Sequence, residues 1–181
     1  MPSTELLLLR HGIAEPRSPQ RADRIRALTD RGRQRTRAVL ERALALGLVA
    51  DQMLSSPLTR ARQTAEIARA VGLAPSLELS AMLEPGHDPL LMLAATLASL
   101  AAAQPELAAA ATATPMETAR RRLLLVGHEP DLGLLAAHLL GATPGSIELR
   151  KAGLALLVLP AGPTPGSASL RLLLSPRILI G

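Results

Sequence analysis

Residues 6–12 read LLLLRHG. Four consecutive leucines with no polar alternation suit a strand covered on both faces, as in the middle of an α/β sheet; a strand with one wet face would alternate. The run stops abruptly at Arg10, His11 and Gly12. Ligands of such sheets bind just outside the carboxyl ends of the strands. An arginine, a histidine and a conformationally free glycine arriving there together point to an anion-handling reaction centre. The plainer reading is a strand that happens to end in polar residues, and the tripeptide alone does not separate the two.

Further strand-like runs fall at about 51–55, 122–127, 153–159 and 168–174, with a weaker one near 76–80. Helical patterns fill most of the gaps. Thr29 suits the N-cap of a helix over 30–46, with Val39, Leu40, Ala43, Leu44 and Leu46 on its apolar side and Gly47 to end it. Ser56 and Pro57 predict a capped start, with proline at the first helical position, for a helix running to about Val71. Two more helices are expected over about 89–102 and from Asp131 to just before Gly141. The segment 101–118, rich in alanine and threonine, reads as one more helix or a loose insertion. Alternation of this kind predicts an α/β fold: a three-layer α/β/α sandwich with a mostly parallel central sheet. The Pro- and Gly-rich link at 160–167 is long enough for a hairpin loop, so an antiparallel edge strand is expected. Length suits one domain over 1–181.

The formal charge of +5 comes from 20 Lys+Arg against 15 Asp+Glu, and Lys151 is the only lysine. Arginine, which grips phosphate and carboxylate oxygens in a planar fork, supplies nearly all the positive charge. Eight arginines lie in 17–37. Nucleic-acid binding ranks last among the explanations, because several sit on a predicted amphipathic helix and no aromatic side chain is available to stack on bases. Cys, Phe, Trp, Tyr and Asn are all missing. That pattern leads to an expectation of engineering: a natural arginine-rich sequence stripped of aromatics, with Leu and Met in their places. Without cysteine, disulfide and thiolate chemistry are excluded. No segment reads as a targeting signal or a membrane span, so a cytoplasmic protein without membrane contact is expected.

Three other places echo the first strand. SSPLTRARQTA at 55–65 puts Arg60 in the first turn of a helix; GHEPDLG at 127–133 puts His128 at another strand end; LEPGHDP at 83–89 holds Glu84, His87 and Asp88. All lie at or near strand-to-helix junctions, which share one edge of a parallel sheet, and helix starts there add exposed N–H groups for an anion.

RHG after the first strand, S-S-x-x-x-R-A-x-Q-T after the second, and V-G-H late in the chain together resemble the histidine phosphatase superfamily, also called the phosphoglycerate-mutase-like or RHG family. The R-x-L-T-x-x-G stretch at 26–32 and the H-x-P-x-x-G form at His128 are most similar to its SixA-type phosphohistidine phosphatases. The resemblance runs over about 5–175 and is thinnest in the Ala/Thr-rich segment.

The resemblance implies that His11 is the nucleophile that accepts a phosphoryl group. It implies further that Arg10 and Arg60 bind the phosphoryl oxygens and that His128 completes the phosphate pocket. Histidine, with an ordinary pKa near ~6.5, is mostly neutral at pH 7 and able to attack phosphorus; neighbouring arginines lower that pKa further. Guanidinium groups also offset transition-state charge, so neither metal nor other cofactor is expected. The plainer reading of His128 is a satisfied core histidine. His87 and His138 read as ordinary residues, and Arg17, Arg21 and Arg24 as candidates for the pocket rim. The proton donor is Glu84, Asp88 or none, because imidazole leaves a phosphoramidate more easily than an alkoxide leaves an ester. A monomeric phosphatase acting on a phosphohistidine domain of another protein is the leading expectation. A small-molecule phosphomonoesterase or phosphomutase acting on a phosphorylated metabolite comes next, then a folded scaffold inactivated by loss of its aromatics.

Overall fold

A computed structural model describes residues 4–102, 121–160 and 163–181. In chain order the elements are β1 (Thr4–Arg10), α1 (Asp30–Ala45), β2 (Gln52–Ser55), α2 (Thr59–Ala70), β3 (Glu78–Leu79), α3 (Pro89–Ala102), β4 (Arg121–Gly127), α4 (Asp131–Leu140), β5 (Leu154–Leu159), β6 (Ser169–Leu174) and α5 (Pro176–Ile180). The strands form one sheet in the order β3-β2-β4-β1-β5-β6. Its first four members are parallel, whereas β5 runs antiparallel to β1 and β6 antiparallel to β5. This is the expected mixed α/β sheet. The antiparallel part is two strands wide rather than a single edge. Most of the Ala/Thr-rich segment lies outside the described residues.

The four leucines of β1 feed two cores at once. Leu7 and Leu9 point to one face, where they join Leu124 and Val126 of β4, Val39 and Leu40 of α1, and the alanines of α2. Leu6 and Leu8 point to the other, against Leu123 and Leu125 of β4 and Leu132, Leu135 and Leu139 of α4. All four are fully buried. Such two-sided burial requires an uninterrupted apolar run, since each leucine contributes about 1.5–3 kcal/mol when taken wholly out of water. Small residues on α2 (Ala61, Ala65, Ala68) let that helix lie close to the sheet.

Two helix ends follow the local chemistry directly. The Thr29 side chain accepts the Gly32 N–H at 2.9 Å and caps α1. Helix α4 ends at Gly141, whose φ of 66° is the left-handed value that glycine adopts without strain. Helix α2, however, starts at Thr59 with Leu58 as N-cap and no side-chain cap. Ser56 is therefore not its cap: its hydroxyl accepts the Leu58 N–H, ahead of the helix, and meets His128. Among the described residues no helix is long and apolar enough to cross a membrane.

Candidate active site

Strands β2, β4 and β1 are neighbours, so their carboxyl ends share one stretch of sheet edge. The β1–β4 register pairs Arg10 with Gly127. The next residues in each chain segment, His11 and His128, then lie side by side, with ring centroids 5.1 Å apart and planes inclined at 55°. Arg60 is the second residue of α2, reached from the end of β2. Residues distant in sequence are thus gathered at one edge by topology alone.

Gly12 makes the approach possible. A Cβ there would sit 2.2 Å from Thr36 Oγ1 of α1. Its N–H donates to Thr64 Oγ1 at 3.0 Å, and the Thr64 hydroxyl donates to the Arg60 carbonyl at 2.8 Å. The turn of α2 that bears Arg60 is thereby tied to the end of β1. From the opposite side, the N–H of Ala152 donates to the carbonyls of both Arg10 and His11 at 3.1 Å. Ala152 does so at φ 61°, a left-handed conformation that costs an alanine roughly 1–2 kcal/mol.

His11 is 7% exposed, and its Nδ1 lies 2.7 Å from the Gly12 carbonyl. A carbonyl can only accept, so Nδ1 carries the proton and Nε2 keeps its lone pair. Burial, then the facing charges of His128, Arg60 and Arg10, hold the imidazole down at about 3; the Gly12 carbonyl opposes them. His128, 3% exposed, is also held at about 3, by burial first, then Arg60, Arg26 and Arg10, against the opposing charge of Asp23. Both rings are neutral at pH 7.

The arginines are clamped from behind. Arg60, 3% exposed, donates from Nη1 to the Asp23 carbonyl at 2.9 Å and places Nη2 3.0 Å from Asp23 Oδ2. Burial lowers the Arg60 pKa against the support of Asp23. Burial would raise the Asp23 carboxyl, but Arg60, Arg26 and Arg17 outweigh it and hold it below its ordinary value. Arg10 donates from Nη1 to the Leu149 carbonyl at 2.7 Å, and the Leu149 N–H donates to Glu129 Oε1 at 2.9 Å. Burial raises the Glu129 carboxyl above its ordinary value, against those N–H bonds and Arg10. The Nε atoms of Arg10 and Arg60 and the Nδ1 of His128 are buried with no hydrogen-bond partner.

The remaining sequence candidates have other partners. Both carboxylate oxygens of Glu84 accept from Arg24, one contact 2.5 Å and the other 3.0 Å. Asp88 accepts the Leu90 N–H at the start of α3. His87 is exposed beside the Glu84 carbonyl, and His138 is half-buried in α4. Arg17 and Arg21 line a cavity of about 390 Å³ with Arg26 and Asp23, the acid that clamps Arg60. Asp23 and Glu129 are participants that spacing did not single out, and Ser56 and Thr64 stood in the S-S-x-x-x-R-A-x-Q-T motif without a role at the site. Thr64 carried a signal, standing one helical turn after Arg60. Among the described residues no group of three or more His, Asp and Glu gathers as a metal site would require.

Residues 6–84 match the histidine phosphatase superfamily, branch 1. The chain is 40% identical over 153 residues to an uncharacterized protein of Picosynechococcus sp., covering 83% of this chain and 82% of that one. The chain belongs to the histidine phosphatase superfamily. Among solved structures, the protein histidine phosphatase SixA complexed with tungstate superposes with a TM-score of 0.74 at 25% identity, over 97% of this chain and 99% of SixA. A mycobacterial glucosyl-3-phosphoglycerate phosphatase shares the fold at a TM-score of 0.67 and 20% identity, over 94% of this chain and 98% of that one. None of these relatives supports the engineered origin expected from the missing aromatics.

Proposed function

We propose that this chain is a metal-independent phosphatase that works through a phosphohistidine at His11, with protein phosphohistidine as substrate. The observation that carries the reading is the state of His11: a neutral ring, its Nδ1 proton committed to Gly12, with a free Nε2 lone pair beside Arg10 and Arg60. In the first step Nε2 attacks phosphorus and the substrate P–N bond breaks. Its electron pair stays on the substrate imidazole, which takes a proton from solvent. In the second, water attacks the same phosphorus, the His11 N–P bond breaks, and inorganic phosphate departs. The Nε–H groups of Arg10 and Arg60 are buried donors with no protein acceptor, available to stabilise phosphoryl charge. Likeness to SixA favours the phosphohistidine substrate. Glu84, the sequence candidate for proton donor, is engaged by Arg24 through both carboxylate oxygens.

A second reading, hydrolysis of a small phosphorylated metabolite, draws on the cavity of about 390 Å³ beside Asp23, which falls within the usual 300–1,000 Å³ of small-ligand sites. Turnover of a phosphohistidine-bearing protein, sugar phosphates and phosphoglycerate is to be compared for the parent chain and His11→Ala. The parent is expected to prefer the phosphoprotein, and His11→Ala to lose about 10³-fold or more of kcat while keeping its fold. Unchanged turnover in His11→Ala overturns the mechanism. Preference for the small phosphates moves the assignment to the second reading. Tungstate binding without turnover marks an inactive scaffold.

A further inference from the structure

Ser56 lies in the link between β2 and α2, fully buried, its backbone N–H held by the Val126 carbonyl at 3.0 Å. Its hydroxyl oxygen has two contacts. The Leu58 N–H donates to it at 3.3 Å, and His128 Nε2 lies 2.9 Å away. A serine hydroxyl has one proton to donate. The Leu58 contact uses the oxygen as an acceptor, so the proton needs an acceptor of its own. Among the described residues His128 Nε2 is the acceptor within its reach. A buried hydroxyl left without one would cost about 1–3 kcal/mol.

From this geometry we infer that Ser56 sets the tautomer of His128: the serine proton goes to Nε2, and the ring's own proton is confined to Nδ1. That nitrogen is the buried atom with no partner. The consequence is chemical. A neutral imidazole has one N–H and one lone pair, so its tautomer decides whether an anion's oxygen meets a donor or a repelling lone pair. With Nε2 capped by Ser56, Nδ1–H is left as a buried donor without a protein acceptor, as are the Nε–H groups of Arg10 and Arg60. The two histidines are then set in the same tautomer by different devices. At His11 the Gly12 carbonyl pulls the proton onto Nδ1, so Nε2 is the nucleophile; at His128 the Ser56 hydroxyl repels it from Nε2, so Nδ1 is the donor. Ser56 is thus a positioning residue, acting through His128 without touching the reacting atoms. This role rests on the phosphatase reading above only for its effect on rate, not for the tautomer itself.

The test is a two-bond proton–nitrogen spectrum of the protein labelled with 15N-histidine, at pH 7, for the parent, Ser56→Ala and Ser56→Thr. His128 is assigned by its loss in His128→Gln. In the parent, Nδ1 of His128 is expected at the protonated shift and Nε2 at the unprotonated shift. Ser56→Ala is expected to move most of the proton to Nε2 and to lower kcat/KM by about 10- to 100-fold. Ser56→Thr, which keeps the hydroxyl, retains the parent pattern. An Nε2–H ring in the parent overturns the inference, whether or not either variant folds. So does an Nδ1–H ring that survives in folded Ser56→Ala, and loss of turnover there without a tautomer change leaves the phosphatase reading standing. Conversely, a parent with Nδ1–H on His128 and no phosphatase turnover overturns that reading and leaves the tautomer assignment intact.

Discussion

Asp23 grips Arg60 twice, with carboxylate Oδ2 3.0 Å from Nη2 and the main-chain carbonyl 2.9 Å from Nη1. Both outer nitrogens are thereby engaged by Asp23, and Nε is buried without a partner. The same carboxylate lies 3.1 Å from Arg26 Nε and 3.4 Å from Arg17 Nε. One acid therefore orients the buried arginine and balances the crowd of cations around it. Asp23→Ala removes the carboxylate contact and is expected to lower kcat/KM by about 10- to 100-fold, less than complete loss because the carbonyl contact persists. Asp23→Asn, which keeps an oxygen, is expected to fall in between. Steady-state kinetics of the two variants check this, and parent-like values for Asp23→Ala would remove Asp23 from the positioning scheme.

Gly12 and Thr36 form a steric pair. A Cβ on Gly12 would come within 2.2 Å of Thr36 Oγ1, itself buried without a hydrogen-bond partner. Gly12→Ala is expected to destabilise the fold by about 1–3 kcal/mol, the range for overpacking a tight core. Thr36→Ala alone removes an unsatisfied hydroxyl and should change stability little. The double variant should recover part of the loss, giving a coupling energy of at least about 0.5 kcal/mol in urea denaturation. Simple additivity of the two single effects would show that Thr36 is not what Gly12 avoids.

The strands and the turn at Arg10, His11 and Gly12 are legible because their signals are local. Four leucines in a row report two-sided burial, and glycine after His11 reports a close approach that the Thr36 contact explains. Arg60 and His128 could be matched to a motif, yet their meeting with His11 depends on strand order β2-β4-β1, which no local pattern encodes. Ser56 was misassigned for a physical reason. Ser-Pro is an excellent helix start, but the hydroxyl serves a histidine 72 residues away and the helix begins three residues later, at Thr59. Asp23 was hidden in a charge run that reads as a solvated face, because nothing in sequence distinguishes an acid paired with neighbours from one paired with a buried arginine 37 residues on. Glu84, singled out for its position in a turn, is paired with Arg24, the residue next to Asp23.

That Arg24–Glu84 pairing separates the two substrate readings. If the leaving group is imidazole, a strong general acid is not needed and Glu84→Gln should change phosphohistidine turnover by less than about tenfold, whereas loss of a true general acid costs about 10²–10⁴. A phosphate ester, with its poorer leaving group, is the substrate on which the same substitution would be felt. Parallel assays of both substrates with the parent and Glu84→Gln decide the point. A drop on phosphohistidine of 10²-fold or more would make Glu84 the proton donor after all.

Two neutral, buried imidazoles also set how the fold responds to acid. His11 and His128 are held at about 3 in the folded chain, mainly by burial, against about 6.5 when unfolded. Between those values the unfolded chain binds more protons than the folded one, so stability falls as pH is lowered through the window from about 6.5 towards about 3. Each histidine contributes a slope approaching ~1.4 kcal/mol per pH unit. Glu129 has the opposite sign, since its raised carboxyl takes up a proton more readily in the folded state, which offsets part of the loss at the acid end. Denaturant midpoints at pH 7.0, 6.0 and 5.0 should therefore decline for the parent. In His11→Gln/His128→Gln, which has no imidazole to protonate at either position, the decline should be markedly shallower over the same range. Anions that seat beside the ring nitrogens, tungstate or inorganic phosphate, should flatten the parent's curve by making the protonated rings less costly. Equal slopes for parent and double variant would mean that these two rings are not the buried neutral pair the structure describes.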